Sequence, residues 1–273
     1  MPNLRLIPVN RADGAILSAS SEALPVAQLQ TTGRTNVWRA NGTSATLTVT
    51  FPALTTIDSV ALMTSNFTPD AFWRIRVFNA LGGVLYDSGA ILACPPKDIS
   101  LVDWCYEPLG VNAFAFGLAA QSVLWMPARY VAYQVQIDID NPTNPAGYIE
   151  ASRLVVGARW SPKYNFSWGV NLSWEGGGKP SRAEDGSKRS ELGVTWRRLG
   201  FSLDWLTETD RAEFAEMARR LNISTDFLVC AYPGAGNFRE EHYTLLGKFA
   251  RTPGIAHPHL GRFSSNSVEI EEI

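Results

Sequence analysis

The chain has 273 residues, of which 45% are apolar and only 18% charged, with nine tryptophans, so two cores of unequal size are expected beneath a surface poor in charge. A net charge near −2 with scattered basic residues excludes the electrostatic footprint of a nucleic-acid binder, and no stretch approaches the roughly eighteen consecutive apolar residues of a membrane-spanning helix. Cys94, Cys105 and Cys230 are odd in number, widely spaced and free of any CxxC, which speaks against a disulfide framework or a zinc site and leaves no metal or cofactor to expect.

The start, MPNLRLIPVNRADG, lacks the uninterrupted apolar core of a signal peptide, so the protein is expected to be made and kept in a cytosol or released by lysis. Residues 1 to about 37 read as an extended arm with one short strand. From Asn36 the pattern is β: Leu47, Val49 and Phe51 alternate, Val60-Ala61-Leu62-Met63 is a buried run, and Trp73, Ile75 and Val77 alternate again. Asn41-Gly42 and Gly82-Gly83 mark turns. After Val84-Leu85-Tyr86 comes a long irregular segment from Cys94 to Pro127 holding Trp104, Tyr106, Phe114, Phe116 and Trp125; loops of this length are usually functional or interfacial. Val131, Tyr133, Val135, Ile137 and Ile139 form a strand on odd positions, ended by Asn141-Pro142. Ile149 to Gly157 closes a first half made of strands alone, which predicts a β-sandwich or jelly roll over residues 1–157.

Trp38, LTVTFPALTTIDSVAL, FWRIRVFN, PARYVAYQVQIDI and GYIEASRLVVG, in that order, resemble the elements of galactose-binding-like domains of the discoidin or coagulation-factor C type, over about residues 36–157. Such domains often bind glycans, and the resemblance makes Trp104, Tyr106 and Trp125 candidates for stacking on sugar rings. A large aromatic in a loop is more often packed beneath it or into a protein contact.

The second half, residues 158–273, opens on Phe166, Trp168, Val170, Leu172 and Trp174, apolar on even positions against Ser167, Asn171 and Ser173 on odd ones, a strand by period. GGGKPSRAEDGSKRS follows, a long polar hairpin carrying Lys179, Arg182, Lys188 and Arg189. Val194 and Trp196 are apolar on even positions but Leu199, Phe201, Leu203 and Trp205 on odd ones, which predicts a β-bulge at Arg197 and Arg198. Thr207 then caps a helix with Phe214, Met217, Ala218 and Leu221 on one stripe, Arg219 and Arg220 in its last turn and Asn222 at its end. Phe227 to Tyr232 is apolar without alternation, a strand covered on both faces. His242 to Phe249 and Ser267 to Ile273 supply two more.

A β domain with one flanking helix and a long hairpin resembles the tail-tube fold of tailed bacteriophages. Joined to a galactose-binding-like domain, WRRLGFSLDWLTETDRAEFAEM and STDFLVCAYPG resemble distal tail or tail-tip proteins of long-tailed phages. The resemblance implies a virion protein made in the host cytoplasm. Its partners would be its own copies in a ring, the tail tube, the baseplate hub proteins, the tape-measure protein and host glycans. Lys179, Arg182, Lys188 and Arg189 are then candidates for subunit contact, and Ser167, Asn171 and Ser173 for the wall of a wet channel. The alternative is a carbohydrate-binding protein recognising host surface glycans, and a third reading is an accessory chain of a hydrolase.

Reactive groups are few. His257-Pro258-His259 lacks the thiol or carboxylate partners of a metal site, and GxSxG, HExxH and GxxxxGK[ST] are absent. Asp204, Glu208 and Asp210 suit a strand's outer phase and a helix start better than an acid–base pair facing across a cleft. Asp138, Asp140 and Asn141 could gather calcium, although a polar strand end explains them as well. The chain is expected not to be an enzyme.

Overall fold

The computed structural model describes every residue except Met1, Lys97, Asp103, 106–109, 111–118, Lys179, Ala183, Leu192, Gly236, Asn237 and 260–261. It is mainly β, with antiparallel sheets in both of its compact units. The first unit comprises residues 1–161 together with 227–244, the second 162–226 together with 245–273. The first holds β1 (Arg5–Ile7), β2 (Ile16–Ala19), β3 (Trp38–Arg39), β4 (Ser44–Ser65), β5 (Phe72–Phe78), β6 (Val84–Asp87), β7 (Ile91–Leu92), β8 (Ala120–Asp140) and β9 (Glu150–Gly157). The chain then forms β10 (Asn171–Gly176), β11 (Pro180–Arg182), β12 (Lys188–Ser190), β13 (Thr195–Leu206) and α1 (Glu208–Leu221). It returns to the first unit as β14 (Phe227–Cys230) and α2 (Phe238–His242), and ends with β15 (Thr244–Phe249), β16 (Ala256–His259) and β17 (Arg262–Glu272).

Two long strands, β4 and β8, build the first unit. Their outer arms pair Ser44–Thr50 with Gln134–Asp140, flanked by β2 and β5; their inner arms pair around Val60 and Leu124, flanked by β9. Between the arms the register shifts at Thr50/Thr55 and Ile57/Ser59, and here lie Pro52 and Pro127, which have no N–H to give a ladder. One core contains residues of both arms, Leu47, Val49 and Ile137 with Val60, Met126, Leu154 and Val156, and it closes over Trp38 and Trp73. The same corner changes the predicted face of β8: Val135, Ile137 and Ile139 point inward, whereas Val131 and Tyr133 are exposed and Ala132 is buried. The irregular segment also ends earlier than the sequence suggests, because Ala120–Met126 already belong to β8.

The N-terminal arm is built in. Leu4, Leu6 and Ile7 are fully buried, and β1 pairs antiparallel with β14, Leu6 opposite Val229. Asn10 bridges to β9, accepting from the Val156 N–H and donating to the Leu154 carbonyl. Gly157 is required here: a Cβ would meet the Val9 carbonyl oxygen at 2.5 Å.

In the second unit β10, β13, β17 and β15 run in that order, with β16 beside β17. The helix forms as its caps and stripe predict, with a capping box between Thr207 and Asp210, buried Phe214, Met217, Ala218 and Leu221, and Asn222 at φ 47° ending it. The strand predicted over Phe166–Trp174 forms only from Asn171, since Gly169 at φ 102° leaves the β region and Trp168 is fully exposed. The bulge expected at Arg197 and Arg198 is not there. Those residues pair in unbroken register with Trp174 and Ser173, and the register slips later, between Phe201 and Leu206.

Candidate functional site

α1 covers one face of the second unit's sheet, against β13 and β17. The opposite face is polar. Asn171, Ser173 and Glu175 of β10 meet Arg198 and Gly200 of β13 and Glu269 of β17 around a cleft of about 460 Å³. The alternation of β10 causes this, sending Leu172 toward the apolar side and its odd neighbours to the other. Arg198 donates to Glu175 at 2.8 Å and Glu269 at 2.5 Å, with Glu271 at 3.6 Å. These hydrogen bonds, Glu175 first, hold the guanidinium above its ordinary range, and the bond from Arg198 holds the Glu269 carboxyl below its own. Two of the three small polar residues singled out from the sequence, Asn171 and Ser173, therefore line one polar wall; Ser167 precedes β10 and gives its N–H to the Ser202 carbonyl.

β10 is the last strand of its sheet, and among the described residues no strand pairs with its outer edge. Trp174 is 59% exposed on it, and Trp168 and Val194 are exposed on either side in sequence. The chain leaves this edge into the β11–β12 hairpin, where Arg182, Lys188 and Arg189 are all exposed. Asp185 shapes the tip by accepting from the Ser187 N–H and hydroxyl, which pulls its carboxyl below the usual range. Lys179 lies outside the described residues.

The loop aromatics of the first unit separate. Trp104 is 71% exposed, Tyr106 lies outside the described residues, and Trp125 stands in β8, not in a loop. The Arg5 guanidinium lies 5.1 Å above the Trp125 ring, and the half-buried indole has its Nε1 without an acceptor among the described residues. Only Trp104 of the described pair presents an open ring.

The outer face of the β4–β8–β5 arm carries a charge network that motifs in the sequence do not flag, although outward alternation of Arg74 and Arg76 against Trp73, Ile75 and Val77 contains it. Arg74 grips Asp87 through two bonds, 2.8 and 2.5 Å, and these hold the Asp87 carboxyl far below its ordinary range. Asp138 accepts from Arg76 at 2.6 Å, Thr46 at 2.9 Å and Gln136 at 3.2 Å. Asn141 is fully buried and accepts from Thr68. Asp138 and Asn141 are thus occupied as strand-end ties, and among the described residues no three His, Cys, Asp or Glu are grouped to hold a metal ion.

The remaining reactive candidates have structural places. Asp210 is buried in the capping box and Glu208 bonds Arg211. His257 stacks on Phe263 with ring centroids 4.5 Å apart. A fully buried Asp58 escapes sequence reading altogether. It accepts from the Arg159 N–H at 2.7 Å, Ser59 at 2.8 Å and Arg129 at 3.3 Å, which ties β4, β8 and the end of β9 together.

No family model matches the chain, and no curated protein does. Solved structures do match, over about half of it. The lectin domain of lectinolysin, complexed with Lewis B antigen, is 12% identical and covers 55% of this chain and 96% of its own, with a TM-score of 0.37. The family 32 carbohydrate-binding module of C. perfringens NanJ, in complex with galactose, is 13% identical over 57% of this chain and 99% of its own, also at 0.37. A chitosan-binding module from a Paenibacillus sp. IK-5 chitosanase/glucanase is 13% identical over 54% and 98%, at 0.36. Likeness at this level carries no inference about the ligand or partner of the present chain.

Proposed function

We propose that this chain is a non-enzymatic structural subunit of a bacteriophage tail tip, closing into a homo-oligomeric ring that joins the tail tube to the tip complex. The observation that carries the reading is the open outer edge of β10. A strand edge is a row of unpaired backbone donors and acceptors that monomeric proteins normally cover, bulge or charge. Here it carries or is flanked by exposed Trp168, Trp174 and Val194, and the chain continues from it into the β11–β12 hairpin. Head-to-tail use of such an edge closes when the rotation between copies divides a circle. The tail-tip part of the reading is supported by the sequence resemblance of WRRLGFSLDWLTETDRAEFAEM and STDFLVCAYPG, and its neighbours would be tube and baseplate hub proteins.

A second reading, recognition of host surface glycans by the first unit, is favoured by one observation, the open ring of Trp104. Native mass measurement separates the two: a closed ring, or a ring formed on adding tail components, supports assembly, and a monomer that binds glycans supports the second reading alone. Deleting Gly177 to Ser187 should leave a folded subunit that no longer incorporates into the ring.

A further inference from the structure

A second cleft, of about 710 Å³, opens on the outer face of the first unit where β4 begins, β8 ends and β5 begins. Its volume falls in the range of small-molecule sites. Phe72, Asp140 and Ser44 stand in one row across three strands, in register β5 to β8 to β4. Cross-strand neighbours of this kind lie within about 5.5 Å of each other on one face. Phe72 is 44% exposed and lines the cleft together with Ser20, Thr46 and Arg74.

Among the described residues, most charges that line this face have partners. Arg74 is held by Asp87, and Asp138 by Arg76, Thr46 and Gln136. The exposed Asp140 carboxylate has no hydrogen bond or ion pair among the described residues. One unit of negative charge thus sits beside an aromatic ring in a cleft lined with serine and threonine. A ring attracts a cation over its face, a carboxylate pairs with an ammonium, and hydroxyls exchange hydrogen bonds with hydroxyls. A hexosamine unit with a free amino group unites these demands: an apolar C–H face, a rim of hydroxyls and one positive charge.

We propose that the Phe72, Asp140 and Ser44 row is a binding site for an amino sugar with a free, protonated amine. The proposal rests on glycan recognition by the first unit and not on ring assembly. Its test is calorimetric titration of the full-length protein at pH 6 with two trimers of equal length, one of glucosamine and one of N-acetylglucosamine. The glucosamine trimer should bind at least about tenfold tighter, D140N should abolish that preference, and F72A should weaken binding of both. Thermal melts of both variants should match the parent, so that lost binding is not lost folding. Equal affinity for the two trimers, no binding of either, or a preference that survives D140N overturns the proposal. Trilysine binding as tightly as the glucosamine trimer overturns the sugar class. Binding that survives F72A but disappears in W104A moves glycan recognition to the loop and leaves this site wrong while the broader reading stands.

Discussion

Single residues show how burial and partners set chemistry in this protein. Burial pushes the Cys230 thiol up to about 12, and Cys94 is buried with its sulfur 2.9 Å from the Ser122 hydroxyl, whereas Cys105 is exposed. Only a thiolate in reach of solvent reacts readily. A thiol reagent at pH 8 should therefore titrate Cys105 alone in the native protein and all three cysteines after denaturation; fast reaction persisting in C105S would contradict this placement. Glu216 makes the same point for carboxylates. Hydrogen bonds from Arg219 and Arg220 hold it down from 4.5 to about 2. A carboxyl depressed in the folded state contributes stability that is complete above about pH 4.5 and lost as pH falls toward 2. A side-chain NMR titration should give a midpoint near 2, moving toward 4.5 when both arginines are replaced by alanine.

At the scale of elements, α1 tests how local rules act. Its Thr207–Asp210 capping box satisfies first-turn donors, so T207A should cost about 1 kcal/mol. F214A, which empties a fully buried site, should cost about 3–5 kcal/mol; denaturant midpoints measure both. This helix was legible in the sequence because its caps and stripe lie within one short segment. The β4–β8 corner was not, since Pro52 and Pro127 mark a bend only once their strands are known to be neighbours. Phe166–Trp174 misled for a related reason: its period of two is perfect, yet Gly169 takes a positive φ that alternation does not reveal. The polar wall of Asn171 and Ser173 was readable, but Arg198 and its glutamates come from β10, β13 and β17 and meet only through tertiary pairing. The aromatic loop gave candidates by composition alone, and Trp125 proved to be a strand residue under Arg5.

The whole molecule is organised by a chain that leaves its first unit after residue 161, returns for 227–244 and leaves again. A division at residue 157, natural from the first half's all-strand pattern, does not contain that return, because the β1–β14 pairing joins segments at opposite ends of the sequence. Leu228, Val229 and Cys230 are all fully buried, so a fragment ending at 161 loses a covered strand and should melt well below the intact protein. At this scale the proposed ring requires the exposed margin of β10 to be completed by another copy. Native mass spectrometry of the parent and of L172P tests it most directly, because proline at that position removes a backbone donor from β10 and breaks its extended course. The account predicts a closed oligomer for the parent, alone or with tail components, and a folded monomer for the variant; a parent that stays monomeric in both settings, or an L172P ring of unchanged mass, would contradict it.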